Sequence, residues 1–369
     1  MNLRVSNMKS NRPASLLIFA VMALMLAGCK SIGPRTIPRD RYDYSASISD
    51  SWKRQTLLNI VKLRYLDPPI FVDVGQIVAG YSFETTGNVG GQISSANAIQ
   101  GNSAIFGGSA KFTDRPTVTY TPLTGNKFMK SLMTPLPPES VFFTIESGWP
   151  ADAILFATVA SLNGLKNQEV SLAGLSKADP RFLRALELLR QMQLSGAVAM
   201  HIQQDDQKRQ TTMVTIRSRN ISEETLAQGR ELRELLGLSP EASEFKLVFG
   251  ALGANDRELA MQTRSMMRIL SILAGQVDVP AEHIAQGRTM PGLNETDQPG
   301  GPAVRLARIL SSKSKPADAY VAVQYRDHWF WIDDCDLKSK RAFAFMLLLF
   351  SLSDSGEKEA LPLITIPAQ

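Results

Sequence analysis

Cysteine is nearly absent from this chain of 369 residues, which has only Cys29 and Cys335. A framework of disulfides is therefore excluded, and the fold must be held by its core even in an oxidising compartment. Histidine is as scarce. His201, His283 and His328 are the only three. None has a second histidine at the spacing of a metal-ligand motif, so no metal and no other cofactor is expected. There is no Walker loop, nucleophile elbow or dinucleotide fingerprint, and Gly87-Asn88-Val89-Gly90-Gly91 lacks the following helix that a phosphate loop needs. The run Ala342–Leu352 is too short for a bilayer, which takes about 20 apolar residues, and reads as a buried helix. Excess charge is missing as well. The formal +5 includes Arg4, Lys9 and Arg12, without which about +2 remains, so no nucleic-acid partner is expected. At 44% apolar and 20% charged residues, the composition is that of a folded globular protein.

What is present is clearest at the N-terminus. Ala14–Cys29 (ASLLIFAVMALMLAGC) is free of charge, follows three basic residues, and has no acidic residue before it. A basic n-region, a short apolar h-region and a small-residue cleavage site describe a secretory signal. Leu26-Ala27-Gly28-Cys29 resembles the lipobox of bacterial lipoproteins. The resemblance implies cleavage before Cys29, acylation of Cys29 and attachment to a lipid bilayer. Lys30 stands where such lipoproteins of enteric-type bacteria carry an Asp for inner-membrane retention, which implies the outer membrane, with the body facing the periplasm.

The expected organisation is a signal peptide (1–28), an acylated cysteine and extended tether (29–46), a region of helix, strand and long hairpin (47–122), a central α+β region (123–285), a linker or long loop (286–302) and a C-terminal α+β block (303–369). The fold class is α+β, with helices packed on mixed or antiparallel sheets. Ser47–Leu66 shows a helical apolar stripe that Asp67-Pro68-Pro69 ends. Helices are read at 127–133, 151–162, 181–193, 223–236 with Ser222 as N-cap, 256–274 and 337–352. Strands are read at 70–79, 112–121, 141–145, 197–203, 211–218, 244–250, 303–309, 319–325, 328–332 and 361–366. Cys335 reads as a small buried apolar residue.

The stretch Thr85–Ala110 holds 26 residues and no charge, between Glu84 and Lys111. A turn centred near Ala96 would pair Phe83 with Ser109, Val89 with Ser103 and Ile93 with Ile99. Tyr81, Phe83, Val89, Ile93, Ile99 and Ile105 would then share an apolar face, with Phe106 as the exception on the polar one. Such a Gly/Ser/Asn-rich β-hairpin at residues 80–112 has three readings: one subunit's contribution to a composite barrel, a hairpin or interaction arm in water, or a loop. Its layout is similar to that of oligomeric lipoprotein export channels such as the curli exporter, which implies a homo-oligomer.

Two further features remain. His328 with Asp333, Asp334 and Asp336 could do acid–base work, although helix capping explains the aspartates equally well. Trp329 and Trp331, beside His328, offer a binding surface for an envelope protein or a polysaccharide. The function expected is a non-enzymatic envelope lipoprotein that builds or supports a multimeric channel or export complex. The alternative is a monomeric periplasmic adaptor or scaffold.

Overall fold

The computed structural model describes residues 33–78, 80–92, 103–171, 174–204, 210–291 and 305–353. Cys29 and its lipobox, Ile93 and Ile99 at the hairpin tip, most of the 286–302 linker and the strand read at 361–366 lie outside the described residues. The chain is α+β and divides into two compact units, Met1–Ser49 with Val74–Thr121, and Asp50–Asp73 with Pro122–Gln369. Among the described residues, no helix is long and apolar enough to cross a membrane.

Helix α1 (Gly33–Arg64) corrects the extended tether read before the Ser47 helix. Its helical start at Gly33 puts Pro34 in the first turn, where proline costs no backbone hydrogen bond. In the first unit Asp40 on this helix accepts hydrogen bonds from the Tyr81 hydroxyl first, then from Thr36 and Arg39, and they hold its carboxyl below the usual range against the effect of burial. Asp50 is no N-cap. It pairs with Arg54 at 2.8 Å, one turn further along an unbroken helix.

The first unit contains most of β1 (Phe71–Val78) and β4 (Thr117–Leu123), which pair with each other, and a separate ribbon of β2 (Tyr81–Gln92) and β3 (Ser103–Asp114).

In the second unit, α1 buries Leu57, Ile60, Val61 and Tyr65, the i, i+3, i+4 stripe legible in the sequence. Two amides one turn apart hold the chain that follows it. Asn59 exchanges hydrogen bonds with the Ile70 backbone at 2.8 and 3.0 Å, and Gln55 with that of Val72 at 3.0 and 2.6 Å. Side chains here do the pairing that a neighbouring strand would otherwise do.

The centre of this unit is a six-stranded sheet. It contains β5 (Val159–Leu162), β6 (Leu165–Lys166), β9 (Val198–Gln204), β10 (Gln210–Ile216), β11 (Glu244–Phe249) and β12 (Glu258–Thr263), in the order β6-β5-β12-β11-β10-β9. Only β11 and β12 run parallel. The eight residues 250–257 that join them are fewer than the usual crossover. Gly253 permits this tight return, because a Cβ there would lie 2.9 Å from the Glu258 carbonyl oxygen.

Helices α2 (Asn126–Met133), α3 (Pro138–Glu146), α4 (Ala151–Thr158), α5 (Pro180–Leu194) and α6 (Glu223–Leu236) follow in chain order, with a small ribbon of β7 (Glu169–Ser171) and β8 (Gly174–Ser176) between α4 and α5. The starts of α5 and α6 follow local signals. Asp179 accepts from the Arg181 N–H at 2.9 Å ahead of Pro180, Ser222 accepts from the Thr225 N–H at 3.1 Å, and Gly237 closes α6 at φ 62°.

Three elements correct the sequence reading. The strand read at 141–145 is part of α3, where Pro138 sits in the first turn and Val141, Phe142, Thr144 and Ile145 are buried at helical spacing. The helix read over 151–162 ends at Thr158, and Val159–Leu162 turns into β5, buried along its whole length. The helix read over 256–274 is β12 followed by α7 (Met266–Gly275), capped by Ser265. Both misread strands lie inside the sheet. An interior strand shows a continuous apolar run rather than alternation, and so cannot be told from a buried helix by periodicity.

The C-terminal part contains α8 (Ala281–Ala285) and a three-stranded antiparallel sheet of β13 (Leu310–Ser312), β14 (Ala319–Tyr325) and β15 (His328–Asp333), with β15 in the centre. Helix α9 (Leu337–Ser353) then packs on β15 and α7. The strand read at 303–309 is displaced. Its described residues are irregular as far as a bridge at Ile309, and pairing with β15 begins at Leu310.

Candidate functional site

The β2–β3 ribbon pairs twelve residues with twelve, from Tyr81↔Asp114 to Gln92↔Ser103. This register differs from the sequence reading by an odd number of residues, so the faces of the second arm exchange. Phe83 lies opposite Phe112 and Glu84 opposite Lys111, where the earlier reading set Phe83 against Ser109. Aligned aromatic and opposite-charge pairs are the local signals that fix a register in arms otherwise made of Gly, Ser and Asn. Val89 pairs with Phe106 and Gly90 with Ile105. Phe106 is therefore in phase with Phe83 and Phe112, and Ile105 in phase with the polar Ser82 and Glu84, the reverse of the assignment from sequence.

At the ribbon's base the Tyr81 and Phe112 rings stack with centroids 6.1 Å apart. Phe83 and Phe112 are each 53% exposed. Among the described residues the ribbon is a two-stranded sheet, with unpaired outer edges.

The other predicted site is rearranged. On β15 the residues His328, Phe330 and Ile332 point into the core, while Trp329 and Trp331 alternate with them and are half-buried. Lys315 lies 5.5 Å from the centre of the Trp329 ring. Asp333, Asp334 and Asp336 are at the far end of the strand from His328, so the acid–base cluster does not form. They act as caps and turn ligands: Asp336 accepts from the Ser339 N–H at 3.0 Å, Asp333 from the Cys335 N–H at 2.7 Å, and Asp334 pairs with Lys340 at 2.7 Å. Cys335, expected in the core, is exposed in this turn.

What His328 meets is His283, 45 residues earlier in the chain. Their ring centroids are 4.8 Å apart at 75°, and both side chains are buried. His283 sits on α8, and its Nδ1 lies 2.7 Å from the Tyr65 hydroxyl at the end of α1. His328 opens β15, with Nδ1 3.3 Å from the Arg326 carbonyl and Nε2 3.1 Å from a Glu282 carboxylate oxygen. Burial first, then His328 and Arg288, push the His283 pKa down, and burial raises that of Tyr65. Both are uncharged at neutral pH. Glu282, His283 and His328 offer one carboxylate oxygen and two ring nitrogens, all within 4.8 Å of one another. Sequence spacing gave no sign of this group, because a sheet turn and a five-residue helix bring its members together.

The backbone around the group is strained. Of five non-glycine residues with positive φ among the described residues, Leu66, Arg326 and Asp327 are here. Arg326 and Asp327 form the two-residue turn between β14 and β15, which requires left-handed geometry at both positions. Asp67 holds that turn by accepting from the Tyr325 hydroxyl and by pairing with Arg326 at 3.3 Å. Arg326 in turn lies over the Tyr65 ring at 4.9 Å. The start of the region read as a linker is also held here, since Thr289 donates to the Arg64 carbonyl at 2.7 Å and Arg64 to that of Met290.

A cleft of about 750 Å³ opens among α4, α5, α7 and α9 in the second unit. Its apolar floor includes Phe156, Leu186, Ile269 and Phe345, and Arg190 and Arg341 are among the charged groups lining it. Most of its lining comes from these four helices, with Trp149, Pro150, Arg305 and Leu306 from the segments beside them, and the residues share no motif. Comparison with protein-family models, with curated proteins and with solved structures finds no match to this chain.

Proposed function

We propose that the chain is a non-enzymatic lipoprotein of the cell envelope, anchored to the outer membrane through acylated Cys29, and that it builds or supports a multimeric channel or export complex. The observation that carries the assembly half of this reading is the β2–β3 ribbon. Its twelve-pair ladder gives arms about 40 Å long at 3.3 Å per residue. A tilted membrane strand needs only about 9 to 11 residues. Bare edges on both sides suit it to pair with further copies, and only a closed ring of such ribbons satisfies the backbone in lipid. Exposed Phe83 and Phe112 near the base, with Tyr81, are placed as the aromatic girdle of such a barrel would be.

The anchor half rests on Leu26-Ala27-Gly28-Cys29. Cys29→Ser is expected to move the protein from the outer-membrane fraction to an uncleaved or soluble form and to abolish palmitate labelling. Unchanged fractionation and labelling would contradict it. A monomeric adaptor is the second reading, favoured by the cleft among α4, α5, α7 and α9, whose size suits a bound ligand or a partner's side chains.

A further inference from the structure

We infer that Glu282, His283 and His328 form a zinc-binding site, independent of the hairpin and of the lipid anchor. Two imidazoles and one carboxylate suit zinc better than magnesium or calcium, which take oxygen ligands. Such a set leaves a fourth position for water or an incoming ligand, as open zinc sites do.

Each ring is already oriented by its other nitrogen. The Tyr65 oxygen holds His283 at Nδ1, and the Arg326 carbonyl holds His328 at Nδ1. With Nδ1 donating to these oxygens, Nε2 is the nitrogen left to each ring for an ion, and His328 Nε2 already faces Glu282; an outer hydrogen bond of this kind fixes tautomer and ring plane. Both supports lie at or beside left-handed backbone. Tyr65 precedes Leu66 at φ 60°, and the carbonyl belongs to Arg326 at φ 48°.

Zinc–nitrogen bonds of about 2.0–2.1 Å in a tetrahedron set donors about 3.4 Å apart. His328 Nε2 and the Glu282 oxygen are at 3.1 Å, and no pair exceeds 4.8 Å. The Glu282 side chain is 45% exposed, so it can swing to close the remaining gap, and its side of the site is open to solvent. Lys313, 3.5 Å from Glu282, would give up that contact to the ion. With Arg326 and Arg288 also near, the surroundings favour an anionic fourth ligand such as hydroxide or a carboxylate.

The test is a titration of detergent-extracted, chelator-stripped full-length protein with zinc chloride, read by competition with a chromophoric chelator. The expected result is one equivalent bound. Tyr65→Phe should weaken binding about tenfold through the loss of ring orientation, and Glu282→Gln and His328→Asn should weaken it further. Cobalt substitution should give the intense visible bands of a four-coordinate site, lost in Glu282→Gln. Glu282 is partly exposed, so this variant keeps the fold, as its circular dichroism will verify. No uptake by the wild-type protein, or uptake that Glu282→Gln and His328→Asn leave unchanged, would overturn the assignment.

Discussion

Removing residues 86–110 is expected to turn a multimer into a monomer and to abolish conductance across planar lipid bilayers, while the second unit stays folded. The deletion takes out most of the β2–β3 ladder and leaves the six-stranded sheet untouched, because none of its strands lies between 86 and 110. A milder change aims at the same face. Phe83→Lys with Phe112→Lys puts charge on the aromatic side of the ribbon. At the interfacial girdle of a membrane barrel each substitution costs up to about 1 kcal/mol, so the pair should cost about 1–2 kcal/mol. An arm that stays in water would lose almost nothing, so the double variant separates the two readings by the size of its effect on bilayer insertion. Unchanged assembly in the deletion would remove the hairpin from any account of oligomers.

Arg264→Met is expected to be the most damaging single change in the second unit. Arg264 is 1% exposed, at the end of β12. Its guanidinium donates to the Phe156 carbonyl at 2.7 Å, to that of Ala157 at 3.1 Å and to that of Gln168, and pairs with Glu169 at 3.2 Å. These acceptors come from the end of α4 and the start of β7, so one side chain ties three segments. Burial pushes its pKa down to about 10 against the pull of Glu169, and it remains a cation at neutral pH. Removing one partner of such a buried pair costs about 3–5 kcal/mol, since the others lose their donor without regaining water. At about 2–4 °C per kcal/mol for a domain of this size, melting should fall by roughly 10 °C. Glu169 is 23% exposed and also pairs with Arg268 at 2.9 Å, so Glu169→Gln should cost less. A shift below about 2 °C for Arg264→Met would mean that the tie is not structural.

How far the fold could be read from the residues follows from where each signal resides. Helix α6 was legible at both ends, because Ser222 and Gly237 are short-range signals that act within one turn of the backbone they cap. The alternation of β15 was legible for the same reason: one face buries Phe330 and Ile332, and the other holds the two tryptophans half in solvent. Strand β12 was not, since it is covered by neighbours on both edges and reads as an unbroken run of Leu, Ala and Met. The ribbon was found, but its register was set by Phe83–Phe112 and Glu84–Lys111 rather than by an assumed symmetric turn.

Chemistry suffered most. His328 was singled out with the aspartates that follow it in sequence, yet a strand places its two ends far apart, and six residues separate neither face nor function in a list of letters. Its true companions, His283 and Glu282, needed α8, the end of α1 and the Arg326–Asp327 turn to be in place first. Arg264 was silent in sequence, as one arginine in a chain with 40 basic residues.

The central claim is that a lipid-anchored body assembles through the ribbon, and native mass spectrometry of the detergent-extracted mature protein reads both halves at once. The account predicts a ring of several copies, each heavier than the chain from Cys29 by a diacylglyceryl group and one further acyl chain. A single copy whose mass shows no lipid would contradict it.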